Sequence, residues 1–283
     1  MDRRKNVLYI DLTNEEYFFK IHDDLAEYIG GTGIAHKILL DTLESEPVIF
    51  ATGPLNGYFP YVSKTVMLYL SNNKVIQQIG GGTIGSKLNL VNIDALVFTG
   101  TSSDQLKINI TPQEVSFSKL ADTNEAKITD LSINKNGVFS QSYFSFGVDR
   151  ESELLSQNLY ISVDATESYD LDDFYDYEKL YQKAIEDYKK LTVEPRNNPS
   201  CFGCPIGCDK SHEGEGDLNI GILPRCLVAC GYSEEIYKDI PFVYACLSSI
   251  GFDYQHDELI SISEKVGDLK LKLGEKLANA SNS

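Results

Sequence analysis

The feature that most narrows what this chain can become is a short run of thiols, Cys201-Phe-Gly-Cys204-Pro-Ile-Gly-Cys208. Cysteines at C-x2-C-x3-C spacing bring their sulfurs to one side of a tight loop, where they can converge on one soft metal centre. The glycines let the backbone fold closely round such a centre, and Pro205 stiffens the turn without needing a donor. A tetrahedral zinc or a cubane cluster takes four ligands, and the run supplies three. The bland reading is three small buried apolar residues. All six cysteines fall after residue 200, at 201, 204, 208, 226, 230 and 246. A secreted disulfide framework is usually spread through a smaller chain, so this distribution predicts a reduced, cytoplasmic setting and a metal role.

Upstream of the thiols the pattern is strand-rich. Short apolar or alternating runs at residues 7–20 (broken at Thr13-Asn14), 47–52, 64–70, 74–79, 95–100 and 106–110 read as strands. Weaker strand signals follow at 138–146 and 159–163. Glycine turns punctuate them at Gly30-Gly-Thr-Gly33, Gly53-Pro-Leu-Asn-Gly57 and Gly80-Gly-Gly-Thr-Ile-Gly85. An acidic, tyrosine-rich helix is predicted over 173–188, ended by Asn197-Asn-Pro199, and the chain beyond 220 reads as helical through 280. The fold class is α+β: a strand-rich N-terminal platform domain over 1–168, then a mainly helical segment over 169–283 that carries the cysteine loop.

Charge excludes some partners. The net charge of −17 argues against nucleic acid and against an anionic membrane surface, both of which select basic patches. No apolar run approaches the length of a membrane span, and the N-terminus enters a strand without the apolar core of a signal peptide.

Taken in order, the three glycine motifs, Leu88, Asp94-Ala-Leu-Val and the cysteine run resemble the aldehyde ferredoxin oxidoreductase family, over residues 5–110 and 197–255. The resemblance implies a tungsto- or molybdo-bispyranopterin beside a 4Fe-4S cluster, with ferredoxin as electron acceptor in aldehyde oxidation. Mapped onto this chain, it makes Lys64, Gly80, Gly81, Gly82 and Gly85 the cofactor-binding residues. Cys201, Cys204, Cys208 and Cys226 become the metal ligands, with Cys230, Cys246 or a partner chain as other sources of the fourth. Cys226 and Cys230 are four apart, so on one helix they would share a face.

The departures from the family pattern are specific. Members are about twice this length, and the part beyond this chain carries the fourth cluster cysteine and much of the substrate cavity. Thr32 stands in place of an arginine. Lys64 replaces another, keeping the charge and losing the bidentate fork. Ile79 stands for an asparagine, and Ile220-Gly-Ile-Leu-Pro-Arg-Cys226 has no carboxylate where the family has an acidic stretch. Ser156-Gln-Asn-Leu159 matches a family stretch, yet Gly147-Val-Asp-Arg-Glu-Ser before it is poor in glycine.

The leading expectation is therefore an iron-sulfur oxidoreductase component taking part in electron transfer, partnered by ferredoxin, another oxidoreductase subunit or a second copy of itself. One alternative is a non-catalytic assembly subunit. Another is a zinc-stabilised structural protein that uses the thiols and, as an option, His212. Asp170, Asp172, Asp173, Glu151 and Glu153 lack any visible partner or apolar pocket and read as a solvated face, so no catalytic residue is assigned.

Overall fold

The computed structural model describes residues 2–120, 129–141, 144–146, 157–165, 174–191, 193–204, 206–213 and 220–281. The glycine-poor stretch 147–152, the acidic residues Glu151, Glu153, Asp170, Asp172 and Asp173, and the division at 168/169 lie outside them, as do Ser156, Pro205 and the side chain of His212.

The first sheet is assembled from two strand groups and a late insertion. β1 (Lys5–Asp11) and β2 (Glu16–His22) form an antiparallel hairpin. β3 (Val48–Ala51), β4 (Thr65–Ser71) and β5 (Lys74–Gly80) follow. The β4–β5 turn has both Asn72 and Asn73 at left-handed φ (49° and 59°), the backbone twist that a two-residue hairpin requires. β6 (Ala95–Thr99) then enters between β1, to which it is parallel, and β3, to which it is antiparallel. The order is β2-β1-β6-β3-β4-β5. The second sheet holds β7 (Leu106–Ile110), β8 (Val115–Lys119), β9 (Leu131–Asn134), β10 (Gly137–Ser140), β11 (Phe144–Ser145) and β12 (Leu159–Val163), in the order β11-β10-β9-β12-β7-β8.

Strand periodicity decides how the layers stack. In β3, Val48 and Phe50 enter the core between the two sheets, while Ile49 and Ala51 enter the core on the opposite face. A strand covered on both faces has to be apolar throughout, which is why Val-Ile-Phe-Ala lacks alternation. The inter-sheet core is tied by Phe50, whose ring meets Phe98 and Phe146 edge-on at 6.0 and 5.6 Å.

The other face of the first sheet is covered by α1 (Gly31–Asp41) through Ile34, Ala35, Ile38 and Leu39. α2 (Ile84–Leu90) follows the third glycine motif, and α3 (Tyr177–Glu186) falls within the predicted acidic helix. After the cysteine loop come α4 (Asp209–Glu213), α5 (Ile222–Cys226), α6 (Glu234–Tyr237) and α7 (Ile240–Ser249). α8 (His256–Ser281) closes the layer and buries Leu259, Ile262, Val266, Leu269, Leu273 and Leu277, a stripe at three- and four-residue spacing. The architecture is α+β, with two helices among the strands of the first sheet and a helical segment after the last strand. Among the described residues no helix is long and apolar enough to cross a membrane.

Candidate metal centre

The cysteine loop is held by its own backbone. The Cys204 N–H donates to the Cys201 carbonyl at 3.0 Å, a turn that Gly203 completes at φ 68°. The Arg196 N–H donates to the Gly207 carbonyl at 2.6 Å. A β-carbon on Gly207 would strike the Asn198 carbonyl, so this glycine permits the loop's two ends to pair. The Cys208 carbonyl accepts from Asn198 Nδ2 (3.2 Å) and from Ser211 Oγ (2.7 Å). The Ile206 N–H points at Cys204 Sγ from 3.5 Å, the kind of N–H···S contact that steadies a ligating sulfur.

Cys201, Cys204 and Cys208 line one cavity of about 20 Å³, and Cys230 lines it with them. Cys226 is not among its lining residues. It is fully buried beside α1, where a β-carbon on Gly33 would lie 3.2 Å from its sulfur, and burial pushes its thiol up to about 12. The expectation that the two cysteines share a helix face fails for a local reason. α5 ends at Cys226, and Val228 turns the chain at φ 58° before Cys230 is reached. Hydrogen bonds then fix the new direction: the Cys230 N–H donates to the Tyr61 carbonyl (3.3 Å) and the Lys64 N–H to the Val228 carbonyl (3.2 Å). Cys246 sits buried in α7, away from the cavity lining.

The rest of the wall is Tyr61, Ser63, Lys64, Ile206 and Lys210. Lys64 is buried, and its Nζ donates to the Lys210 carbonyl at 3.0 Å. Among the described residues, two lysines and no carboxylate therefore line the thiol cavity of a chain whose net charge is −17. Tyr61 is held at φ 66°, an uncommon conformation for a bulky residue and one that clusters at functional sites. Its buried hydroxyl has no hydrogen-bond partner among the described residues, and burial, then Cys204, pushes it up to about 12. Burial also pushes the Cys204 thiol up to about 11, with Cys201 and Cys208 adding to the rise and the Ile206 N–H opposing it.

Four thiols are a donor set that suits either zinc or an iron-sulfur cluster. The volume as folded is that of one small occupant. Among the described residues no three Cys, His, Asp or Glu groups already stand together as a metal site.

The glycine motifs turn out to be contact surfaces for protein. A β-carbon on Gly80 would lie 2.7 Å from the Phe146 ring, on Gly81 2.5 Å from Cys201 Sγ, on Gly82 2.7 Å from Ser140 Cβ and on Gly85 2.8 Å from Thr65 Oγ1. Among the described residues the space on the β-carbon side of these glycines is filled by side chains. Gly30, Gly31 and Gly53 likewise seat the segment 225–228: β-carbons there would lie 2.9 Å from the Cys226 carbonyl, 2.9 Å from Val228 and 2.7 Å from the Leu227 carbonyl, respectively. Spacing marked the glycines and three of the thiols. It gave no sign of Tyr61 or Lys210, whose place depends on how two distant loops meet.

Comparison with known proteins adds two findings. Residues 7–136 match the family model described as aldehyde ferredoxin oxidoreductase, N-terminal domain. The fold is similar to a chain of the active site complex BamBC of benzoyl coenzyme A reductase in complex with 1,5-dienoyl-CoA, with a TM-score of 0.60 and 15% identity. That likeness covers 96% of this chain and 62% of the other, and at such identity it is one of fold.

Proposed function

Since residues 7–136 match the aldehyde ferredoxin oxidoreductase N-terminal domain, we propose that this chain is an electron-transfer component of an oxidoreductase of that family. Its own centre is a thiolate-bound iron-sulfur cluster on Cys201, Cys204, Cys208 and Cys230. The observation that carries this reading is that those four thiols, with Lys64 and Lys210, line one small cavity. Such a cluster, when bound, stores and passes single electrons. The chain's residues hold it by four sulfurs, offset its negative charge with two ammonium groups and shield it with Tyr61 and Ile206.

The substrate half of the reaction is assigned to a partner subunit, a ferredoxin or another oxidoreductase chain. Support comes from the solved structure of similar fold, which is described as a complex. The filled glycine loops support the same division, and no pterin step is derived for this chain.

A second reading is favoured by one observation, the 20 Å³ volume, which admits a single zinc ion more readily than a cubane. The test is anaerobic purification of the wild type, Cys230→Ser and Cys226→Ser, with iron and zinc counted per chain and EPR recorded after reduction. Iron with a reduced-cluster signal, diminished in Cys230→Ser and kept in Cys226→Ser, supports the first reading. Zinc without a signal supports the second. A metal-free wild type sinks both.

A further inference from the structure

Among the described residues β2 is an edge strand of the first sheet, and it is rich in exposed apolar side chains. Tyr17, Phe18 and Ile21 are 37%, 56% and 60% exposed, all on one seven-residue strand. Edges of this kind are usually guarded by a proline, a bulge or a covering element. β2 has no proline, and its register with β1 runs unbroken from Glu16 to His22.

The hydrogen bonds of β1 fix which backbone groups the edge offers. The Asn6 carbonyl accepts from the Asp94 N–H (2.8 Å), and the Leu12 N–H donates to the Thr99 carbonyl (2.9 Å). The even-numbered residues of β1 therefore turn their backbone toward β6, and Lys5, Val7, Tyr9 and Asp11 turn theirs toward β2. Their partners there are His22, Lys20, Phe18 and Glu16. By alternation, the N–H and C=O groups of Tyr17, Phe19 and Ile21 point away from the sheet, at the spacing another strand would meet.

The strand is complementary to itself. Antiparallel pairing centred on Phe18 sets Glu16 opposite Lys20 of a second copy, and Lys20 opposite that copy's Glu16. Tyr17 and Phe19 then form the hydrogen-bonded pairs. The two Phe18 residues meet in a non-hydrogen-bonded pair, where side chains lie closest. Glu16 and Lys20 are exposed, and neither is in an ion pair among the described residues. The Phe18 ring is already fixed by stacking on Tyr9, with centroids 4.7 Å apart and 7° between the planes. Centring the pair on Phe19 instead would set Lys20 opposite Phe18 and lose both charge pairs.

We propose that β2 is a dimerisation edge, on which two copies of this chain pair antiparallel about Phe18. Two Glu16–Lys20 pairs set the register, and the two six-stranded sheets become one continuous sheet. An edge lysine ordinarily deters pairing, but in this register it selects a second copy, because only a strand with a glutamate four residues from a lysine answers both charges. The proposal is independent of the metal centre, because the edge and the thiol cavity share no residue.

The test is sedimentation velocity of the full chain over a concentration series, for the wild type, Glu16→Lys, Lys20→Glu and the double exchange. Each single change sets like charges opposite each other twice in the dimer, and the double exchange restores both pairs with their signs swapped. The expected result is a reversible monomer–dimer equilibrium in the wild type. The dissociation constant rises about tenfold or more in each single variant and returns toward the wild-type value in the double. Melting temperatures of the dilute monomers, expected to stay level, check that the variants fold. A wild type that stays monomeric throughout, single variants that dimerise as tightly as the wild type, or a folded double variant no tighter than the singles would each overturn the proposal.

Discussion

Cys201 Sγ fills the space beside Gly81, 2.5 Å from where a β-carbon on that glycine would stand. The glycine loop of the first sheet and the cysteine loop of the helical segment are therefore one packed unit. Gly81→Ala should destabilise the chain by about 1–3 kcal/mol, as overpacking does, and lower the metal bound per chain. Gly267→Ala, on an α8 position with nothing within 4 Å, should stabilise it by up to about 1 kcal/mol. Urea denaturation of both variants checks the contrast, and equal effects would show that the contact at Gly81 is unimportant.

Lys5 is nearly inaccessible, with its Nζ 3.4 Å from Asp94 Oδ1 and 5.5 Å from the centre of the Phe252 ring. Burial pulls its pKa down, but Asp94 and Tyr254 outweigh burial and hold it above the ordinary lysine value. Asp94→Ala leaves that charge buried and uncompensated, at an expected cost of about 3 kcal/mol, whereas Lys5→Met should cost less. The order of the two denaturation midpoints is the measurement. A reversed order would mean that Lys5 contributes mainly through contacts other than Asp94, such as the Phe252 ring.

His22 supplies a pH dependence. Its Nε2 lies 3.0 Å from Tyr9 Oη and its Nδ1 3.4 Å from Asp24 Oδ1. Burial, then Lys20, lowers its pKa below the ordinary value of 6.5, with Asp24 opposing. The folded chain thus resists a proton that the unfolded chain accepts. This contribution to stability is whole above the unfolded value and is lost as pH falls through and below it. His22→Phe should flatten that acid-side fall, compared by melting temperature at about pH 7.5 and about pH 5.5. An unchanged slope would assign the fall to other groups.

Tyr61 carries its buried hydroxyl without a partner. Tyr61→Phe should therefore stabilise the metal-free chain by about 1 kcal/mol. A loss of stability instead, in chelator-treated protein, would mean that the hydroxyl is satisfied in solution.

How much was legible in the sequence differs from residue to residue. Val48–Ala51 announced a strand, because four apolar residues without alternation suit a strand covered on both faces. The spacing of Cys201, Cys204 and Cys208 announced a shared loop, and the structure places all three on one cavity. The fourth thiol could not be read the same way. A separation of four residues suggests a common helix face, and the single left-handed residue Val228, β-branched and so an unpromising turn former, removes it. The glycines announced close approach but not by what. Whether a phosphate or the Phe146 ring fills the space beside Gly80 depends on a segment more than sixty positions away.

The position of β6 has a consequence for how the molecule comes into being. The β1–β2 hairpin and the β3–β4–β5 group meet only across this strand, which is the last of its sheet to be synthesised. Until residues 95–99 emerge, β1 and β3 each carry a bare edge able to pair with a neighbouring chain. Assembly is therefore governed by a non-local closing event, slow by the standards of helical proteins. The vulnerable interval for aggregation lies during translation, before the central strand has joined the two groups into one sheet.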